Sequence, residues 1–230
     1  MKKALLILVL AMVVAGGIFA QVFKPDLVPS AGVASGFEFY NTTADSGNRS
    51  ATAVPLLLYY DVTYVTLSAG ISFVTAKDEP QFNVLGSLIG KADVSRVYMP
   101  LGLLLKYPLT FGANRNIRIY PQAGIEWRLF LSDDYGTREE WDDLYSTRSI
   151  LNTNPIDNYS AEFLDQFSIV AGLGGEVDLP AIGGLEGLYI RFNGLVDLQI
   201  PSKKELDTDD STKHFGMKFQ LAVGYKMPTN

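Results

Sequence analysis

Arg118, Glu126 and Arg128 are separated by even numbers of residues, and so are Glu176 and Asp178, Arg191 and Asp197, and Lys218 and Lys226. On an extended strand, even spacing puts side chains on one face. Glu38 and Lys106 fit the same pattern, each with an apolar residue immediately before and after it. Charges of both signs on a face backed by apolar residues do one kind of chemistry well: they pair with one another out of water. Glu38, Lys106, Arg118, Glu126, Arg128, Glu176, Asp178, Arg191, Asp197 and Lys218, with Lys226 beyond them, are therefore expected to form a salt-bridged plug of polar side chains. Other chemistry is weaker. Asp207-Thr-Asp209-Asp210-Ser211 offers oxygen ligands for calcium, but counted as an EF-hand loop from Asp207 it has Thr212 where glycine belongs and Lys218 where the bidentate glutamate belongs. A solvated acidic loop is the expectation there, with no metal. No phosphate-cradling loop, zinc spacing or cofactor fingerprint occurs, so no cofactor is expected. Asn41-Thr-Thr, Asn48-Arg-Ser and Asn158-Tyr-Ser match glycosylation sequons by chance.

The elements that hold these charges are strands. The clearest runs from Ile117 to Leu129: Ile117, Ile119, Ala123, Ile125, Trp127 and Leu129 face one way, and Arg118, Tyr120, Gln122, Gly124, Glu126 and Arg128 the other. Similar alternation marks Ala31–Tyr40, Tyr64–Ala76, Ser95–Tyr107, Phe163–Leu179, Leu188–Ile200 and His214–Lys226, while Ala53–Asp61 is nearly all apolar. Eight strands follow. Connections near Asp61–Tyr64, Pro108–Asn116 and Pro180–Gly187 are short. Those at Asn41–Ala51, Lys77–Val94, Ser132–Ser160 and Pro201–Lys213 are longer and polar. In an even-stranded meander this places all short turns at one end and all long loops at the other.

Export precedes folding in this reading. Lys2 and Lys3, the apolar run Ala4–Val14 and the small residues up to Ala20 have the order of a secretory signal. Residues 1–20 are expected to be the signal peptide and residues 21–230 one barrel domain, with Gly17 as a second cleavage point. The chain has no cysteine, so neither acylation on Cys nor a disulfide framework is available. Its 19 basic residues, less Lys2 and Lys3, stand against 25 acidic ones, which changes the formal charge from −6 to −8 and argues against nucleic acid as a partner.

A soluble barrel also alternates, so the polar face must decide. That face mixes charge with Gly32, Gly36, Gly70, Gly102, Gly124, Gly172, Gly174, Gly216 and Gly224. Glycine marks places where a side chain will not fit, which suits the inside of a narrow barrel better than a solvated surface. The opposite face carries almost no charge, as hydrocarbon demands, and Phe39, Tyr40, Tyr59, Tyr64, Tyr107, Trp127 and Tyr225 fall near strand ends, where aromatic girdles sit. The expected fold is all-β: an eight-stranded antiparallel up-and-down transmembrane β-barrel preceded by a signal peptide.

With this strand count, Pro121-Gln-Ala-Gly-Ile-Glu-Trp and Ala171-Gly-Leu-Gly-Gly-Glu-Val-Asp-Leu look like the glycine-rich strand repeats of small outer-membrane barrels. Over about Asp26–Lys226 the chain resembles the OmpA/OmpX/OmpW type. It departs from that type in its tail, where Lys-Met-Pro-Thr-Asn follows Tyr225, the last aromatic. The resemblance implies the outer membrane of a diderm bacterium, extracellular loops, periplasmic termini and a monomer among outer-membrane lipids. It also implies barrel-assembly machinery and periplasmic chaperones as partners during biogenesis. Some such barrels modify lipids through a His/Ser pair at the outer rim. Here the one histidine, His214, is followed two residues on by Gly216, with Ser202, Ser211, Glu205 and Asp210 near in sequence. A plain loop histidine and no enzyme activity are expected. The OmpW-like branch implies a narrow or gated passage for small, apolar molecules that leave sideways into the membrane. Leu85, Leu88, Ile89 and Trp141 are the candidate apolar residues of its loop-lined mouth. The alternative is a structural or adhesive protein that displays its loops.

Overall fold

The computed structural model describes residues 28–44, 47–62, 64–82, 88–111, 116–134, 136–137, 139, 165–200 and 213–227. Eight long strands build the wall: β1 (Ser30–Ala44), β2 (Gly47–Val62), β3 (Val65–Phe82), β4 (Leu88–Lys106), β6 (Ile117–Asp133), β8 (Gln166–Asp178), β9 (Leu188–Ile200) and β10 (Lys213–Lys226). Two short strands, β5 (Leu109–Phe111) and β7 (Gly136–Thr137), pair with β6. Neighbours are antiparallel throughout. The ring closes because β1 pairs with β10 and β4 pairs with β6. No long strand keeps a free edge along its whole length, which is the one sheet arrangement that satisfies every backbone group in lipid.

Alternation sets inside from outside. Along β2, Ala53, Leu57, Tyr59 and Asp61 are buried, whereas Val54, Leu56, Leu58, Tyr60 and Val62 are exposed. Pro55 shares the inner face. The nearly unbroken apolar run of β2 is thus an apolar outer face and a mixed inner one. Outward side chains are large and bare: Phe37 is 63 % exposed, Leu58 66 % and Leu173 62 %. A continuous exposed apolar belt of this kind has no place on a water-soluble monomer, and hydrocarbon is the solvent it fits.

The strands outrun the sequence expectation at the long-loop end. Asn41–Ala51 and Lys77–Val94 were expected to be loops. Instead β1 and β2 stay paired to Ala44↔Gly47, and β3 and β4 pair to Phe82↔Leu88 through a register shift after Ala76. Alternating hydrophobicity reports only the stretch of strand that faces lipid. Beyond it the sequence is polar while the backbone ladder runs on. At 18 and 19 residues, β3 and β4 well exceed the ~9–11 that a bilayer requires.

At the other end the turns are tight. The β8–β9 connection folds on Gly183 and Gly184, with φ of 60° and 84°, between the mutually bonded Ile182 and Leu185. Both positions lie in the left-handed region that glycine tolerates. The start and finish of the described chain meet at this end, where Met227 N–H donates to Pro29 C=O at 2.8 Å. Tyr64 and Tyr107 stack beside it, with ring centroids 6.1 Å apart.

Candidate functional site

The lumen is the site, and it is built in layers. Toward the long-loop end, Lys218 and Arg128 sit among three carboxylates. Lys218 Nζ lies 2.5 Å from Glu126, 2.9 Å from Asp197 and 3.9 Å from Glu38. Arg128 reaches Glu126 at 2.7 Å, Asp197 at 2.5 Å and Glu38 at 3.9 Å, donates to Gln166 at 3.2 Å and stacks on Tyr40. Tyr40 hydroxyl donates to Glu38 at 2.5 Å. Lys218 is fully buried, and Arg128, Glu38 and Asp197 nearly so. The register explains the meeting: Glu38 is opposite Lys218, Gly216 is opposite Asp197, and Arg128 is opposite Gln166.

Toward the short-turn end lies a second layer. Arg118 grips Asp178 with two bonds of 2.9 Å and Glu176 with one of 2.6 Å. Arg191 bonds Asp61, and Glu176 at 3.1 Å, with its guanidinium among the rings of Tyr59, Tyr120 and Tyr189. Lys106 meets Asp61 at 3.0 Å, and Lys226 pairs with Asp178 and lies 3.6 Å from Glu176. Asp61 also accepts from Thr66 and from Ser30 at 3.2 Å.

All ten lumen residues named from the sequence point inward and fall into one layer or the other. Asp61 was missed because it closes an apolar strand without flanking alternation. Tyr40 and Tyr59 were missed because an inward Tyr at a strand end reads like any girdle aromatic; both, assigned to the girdle, are inside, as is Tyr120, which the alternation had set on the charged face. Of the apolar mouth candidates, Leu88 and Ile89 have their backbones in β4 rather than in a loop, and Leu85 and Trp141 lie outside the described residues. Residues 1–20 and the side chain of His214 lie outside them too.

Between the layers the lumen is narrow and mostly apolar. Ala34, Leu57, Leu104, Val170, Leu195 and Ala222 line a cavity of about 30 Å³, with Gln122, Asn193 and Gln220 hydrogen-bonded nearby. The glycines keep the wall close. A Cβ on Gly36, Gly70, Gly124 or Gly172 would stand 1.9–2.0 Å from a carbonyl oxygen of the adjacent strand. Crowding there comes from the neighbouring backbone. At Gly32, Gly174, Gly216 and Gly224 it comes from inward tyrosines.

Above the loop-end layer the interior turns apolar: Ala53, Val74, Tyr98 and Phe130 form one buried cluster, with Tyr98 and Phe130 edge to face at 5.9 Å. Two ladder breaks sit at its base. β3 and β4 pair at Ala69↔Leu101 and again at Ser72↔Tyr98, but not between, where Pro100 has no N–H to give. β1 and β2 are likewise interrupted between Ser35↔Leu56 and Glu38↔Ala53, around Pro55. Ser35, on the lipid side, bonds the Pro55 carbonyl at 2.8 Å.

No family model matches this sequence, and no curated protein matches it. Solved structures do. The outer membrane protein OprG from Pseudomonas aeruginosa is similar at 15 % identity and a TM-score of 0.40, over 88 % of this chain and 98 % of that one. Neisserial surface protein A is similar at 8 % identity and a TM-score of 0.39, over 86 % and 97 %. Ail, the attachment invasion locus protein of Yersinia pestis, is similar at 10 % identity and a TM-score of 0.33, over 86 % and 100 %.

Proposed function

We propose that the protein is an integral outer-membrane barrel that serves as a gated passage for small apolar molecules, with its exit sideways into the membrane. The observation that carries this reading is the break in the β3–β4 ladder at Pro100, beside the apolar cluster of Val74, Tyr98 and Phe130 and level with the loop-end ion pairs. An apolar solute entering from the loop end meets apolar side chains first. Below them it meets the buried ion pairs of the loop-end layer, and displacing those pairs costs several kcal/mol per ion, about what breaking a buried salt bridge costs. A seam whose ladder is already interrupted, at a proline with no N–H to give, is the easier way out. On its lipid side stand Ile71, Phe73 and Met99, all apolar.

The orientation that suits this is long loops outside and both termini in the periplasm, with a monomeric barrel handled by assembly machinery and chaperones on its way to the membrane. The chain has no cysteine of its own, so a disulfide can be placed cleanly. Ile71 and Met99 fall opposite one another across the break, since Ala69 opposes Leu101 and Ser72 opposes Tyr98. Ile71→Cys with Met99→Cys, oxidised in the folded barrel, is expected to abolish uptake of a small apolar solute into vesicles, and reduction to restore it. Uptake that is indifferent to the crosslink would refute the sideways exit. The same barrel in a planar bilayer is expected to give no discrete conductance steps.

A structural or adhesive role is the second reading. It is favoured by β3 and β4, whose paired ends project beyond what a bilayer covers and would hold loops clear of the surface. Loops that bind a ligand when grafted onto another barrel would support it.

A further inference from the structure

We propose that the short-turn mouth of the lumen binds a small oxyanion, a carboxylate or phosphate group, with Lys106 as its principal contact. A cavity of about 60 Å³ lies there, lined by Lys106, Arg118 and Lys226 together with Asp61, Glu176 and Thr110. That is room for one small oxyanion in place of a few waters.

The charge count of the layer points to an anion. Among the described residues of the layer, Lys106, Arg118, Arg191 and Lys226 are four cations, and Asp61, Glu176 and Asp178 are three carboxylates. Those carboxylates are heavily used. Asp178 and Glu176 each serve Arg118 and Lys226, and Glu176 also serves Arg191. Among the described residues Lys106 has Asp61 as its one carboxylate partner, and on the same Oδ2 that takes bonds from Arg191 and Ser30. An ammonium carries three donors, and one shared oxygen does not occupy them. The surplus positive charge therefore rests on Lys106, whose side chain is only 8 % exposed and lines the cavity. A partly buried charge without a full counter-charge draws an ion of opposite sign. The neighbouring cations exclude metals. Arg118 and Lys226, at 19 % and 16 % exposure, leave the mouth open to water. Thr110 hydroxyl adds a neutral donor at the rim. With one anion bound, the layer balances. The loop-end layer has the opposite imbalance, with Glu38, Glu126 and Asp197 against Arg128 and Lys218, so it does not attract such a ligand. This inference does not depend on the passage.

The test is thermal unfolding of the refolded full-length mature chain in sodium phosphate, sodium acetate or sodium chloride at matched ionic strength. A ligand that binds only the folded state raises the midpoint saturably. Saturation by phosphate identifies a phosphate group as the preferred ligand, and saturation by acetate a carboxylate; either supports the site. Lys106→Met is expected to weaken the effect about tenfold, the loss of one charge-assisted hydrogen bond. It should still fold, because it leaves three cations on three carboxylates. Thr110→Val, at the exposed rim, is expected to weaken it a few-fold. Lys77→Met, at the far end of the barrel, should leave it unchanged. A midpoint that moves equally in chloride, or a phosphate effect that survives Lys106→Met, would overturn the proposal.

Discussion

Removing Lys218 should be among the most damaging single changes this barrel can suffer. Its side chain is fully buried, and its ammonium holds Glu126 at 2.5 Å and Asp197 at 2.9 Å, with Glu38 at 3.9 Å. Lys218→Met keeps most of the stem and deletes the charge. Arg128 then faces three buried carboxylates alone. Stripping one partner from a buried pair costs about 3–5 kcal/mol, because what remains is an uncompensated charge in a poor solvent. A layer that already has one carboxylate in excess belongs at the upper end of that range. Urea unfolding of barrels refolded into phospholipid vesicles measures it. The companion variant Glu38→Gln removes the surplus carboxylate, whose ion contacts are both 3.9 Å long, and is expected to cost less than about 1 kcal/mol or to stabilise. Combining Lys218→Met with Glu126→Gln restores the original balance, so the pair should recover at least about 2 kcal/mol of the single loss. Additive effects in that cycle, or a Lys218→Met barrel within about 1 kcal/mol of the parent, would refute the account of the layer.

Two further outcomes follow from the wall. Gly124→Ala puts a Cβ where Leu103 C=O stands 1.9 Å away and is expected to cost at least about 3 kcal/mol, beyond ordinary overpacking, whereas Gly194→Ala projects into open space and should gain about 0.5–1 kcal/mol in the same vesicle assay. Leu58→Arg, at a position 66 % exposed on the apolar belt, should cost about 2–4 kcal/mol in bilayers, and no cost there would mean that Leu58 does not face hydrocarbon.

The wall was legible because period-two patterning is dictated twice over, by lipid outside and by a tight interior inside. Leu188–Ile200 was placed to the residue, and each charge of the plug was assigned its face. Strand ends were not legible, since nothing in the sequence of Asn41–Ala51 distinguishes a polar loop from a polar hairpin. Asp61, Tyr40 and Tyr59 escaped for a different reason. Asp61 gains its partners from β3, β4 and β9, more than a hundred residues away in the case of Arg191, and no local pattern announces such a meeting. The prolines were visible, but their consequence was not: Pro55 and Pro100 matter because each interrupts a ladder beside the apolar cluster.

A plugged lumen and a passage look incompatible only if solutes must cross the whole barrel. The two ion-pair layers are fixed by pairings across four or more strands, so neither opens without breaking several bonds at once. The ladder between β3 and β4 is interrupted between Ala69↔Leu101 and Ser72↔Tyr98, where Pro100 has no N–H to give, and the inner side of the seam carries Gly70 and Ser72 beside the buried ring of Tyr98. For the passage we propose, one direction costs several buried salt bridges and the other the parting of a stretch already interrupted at Pro100, which favours the second. In that reading the charged layer serves as a floor that turns whatever enters from above toward the wall at Pro100.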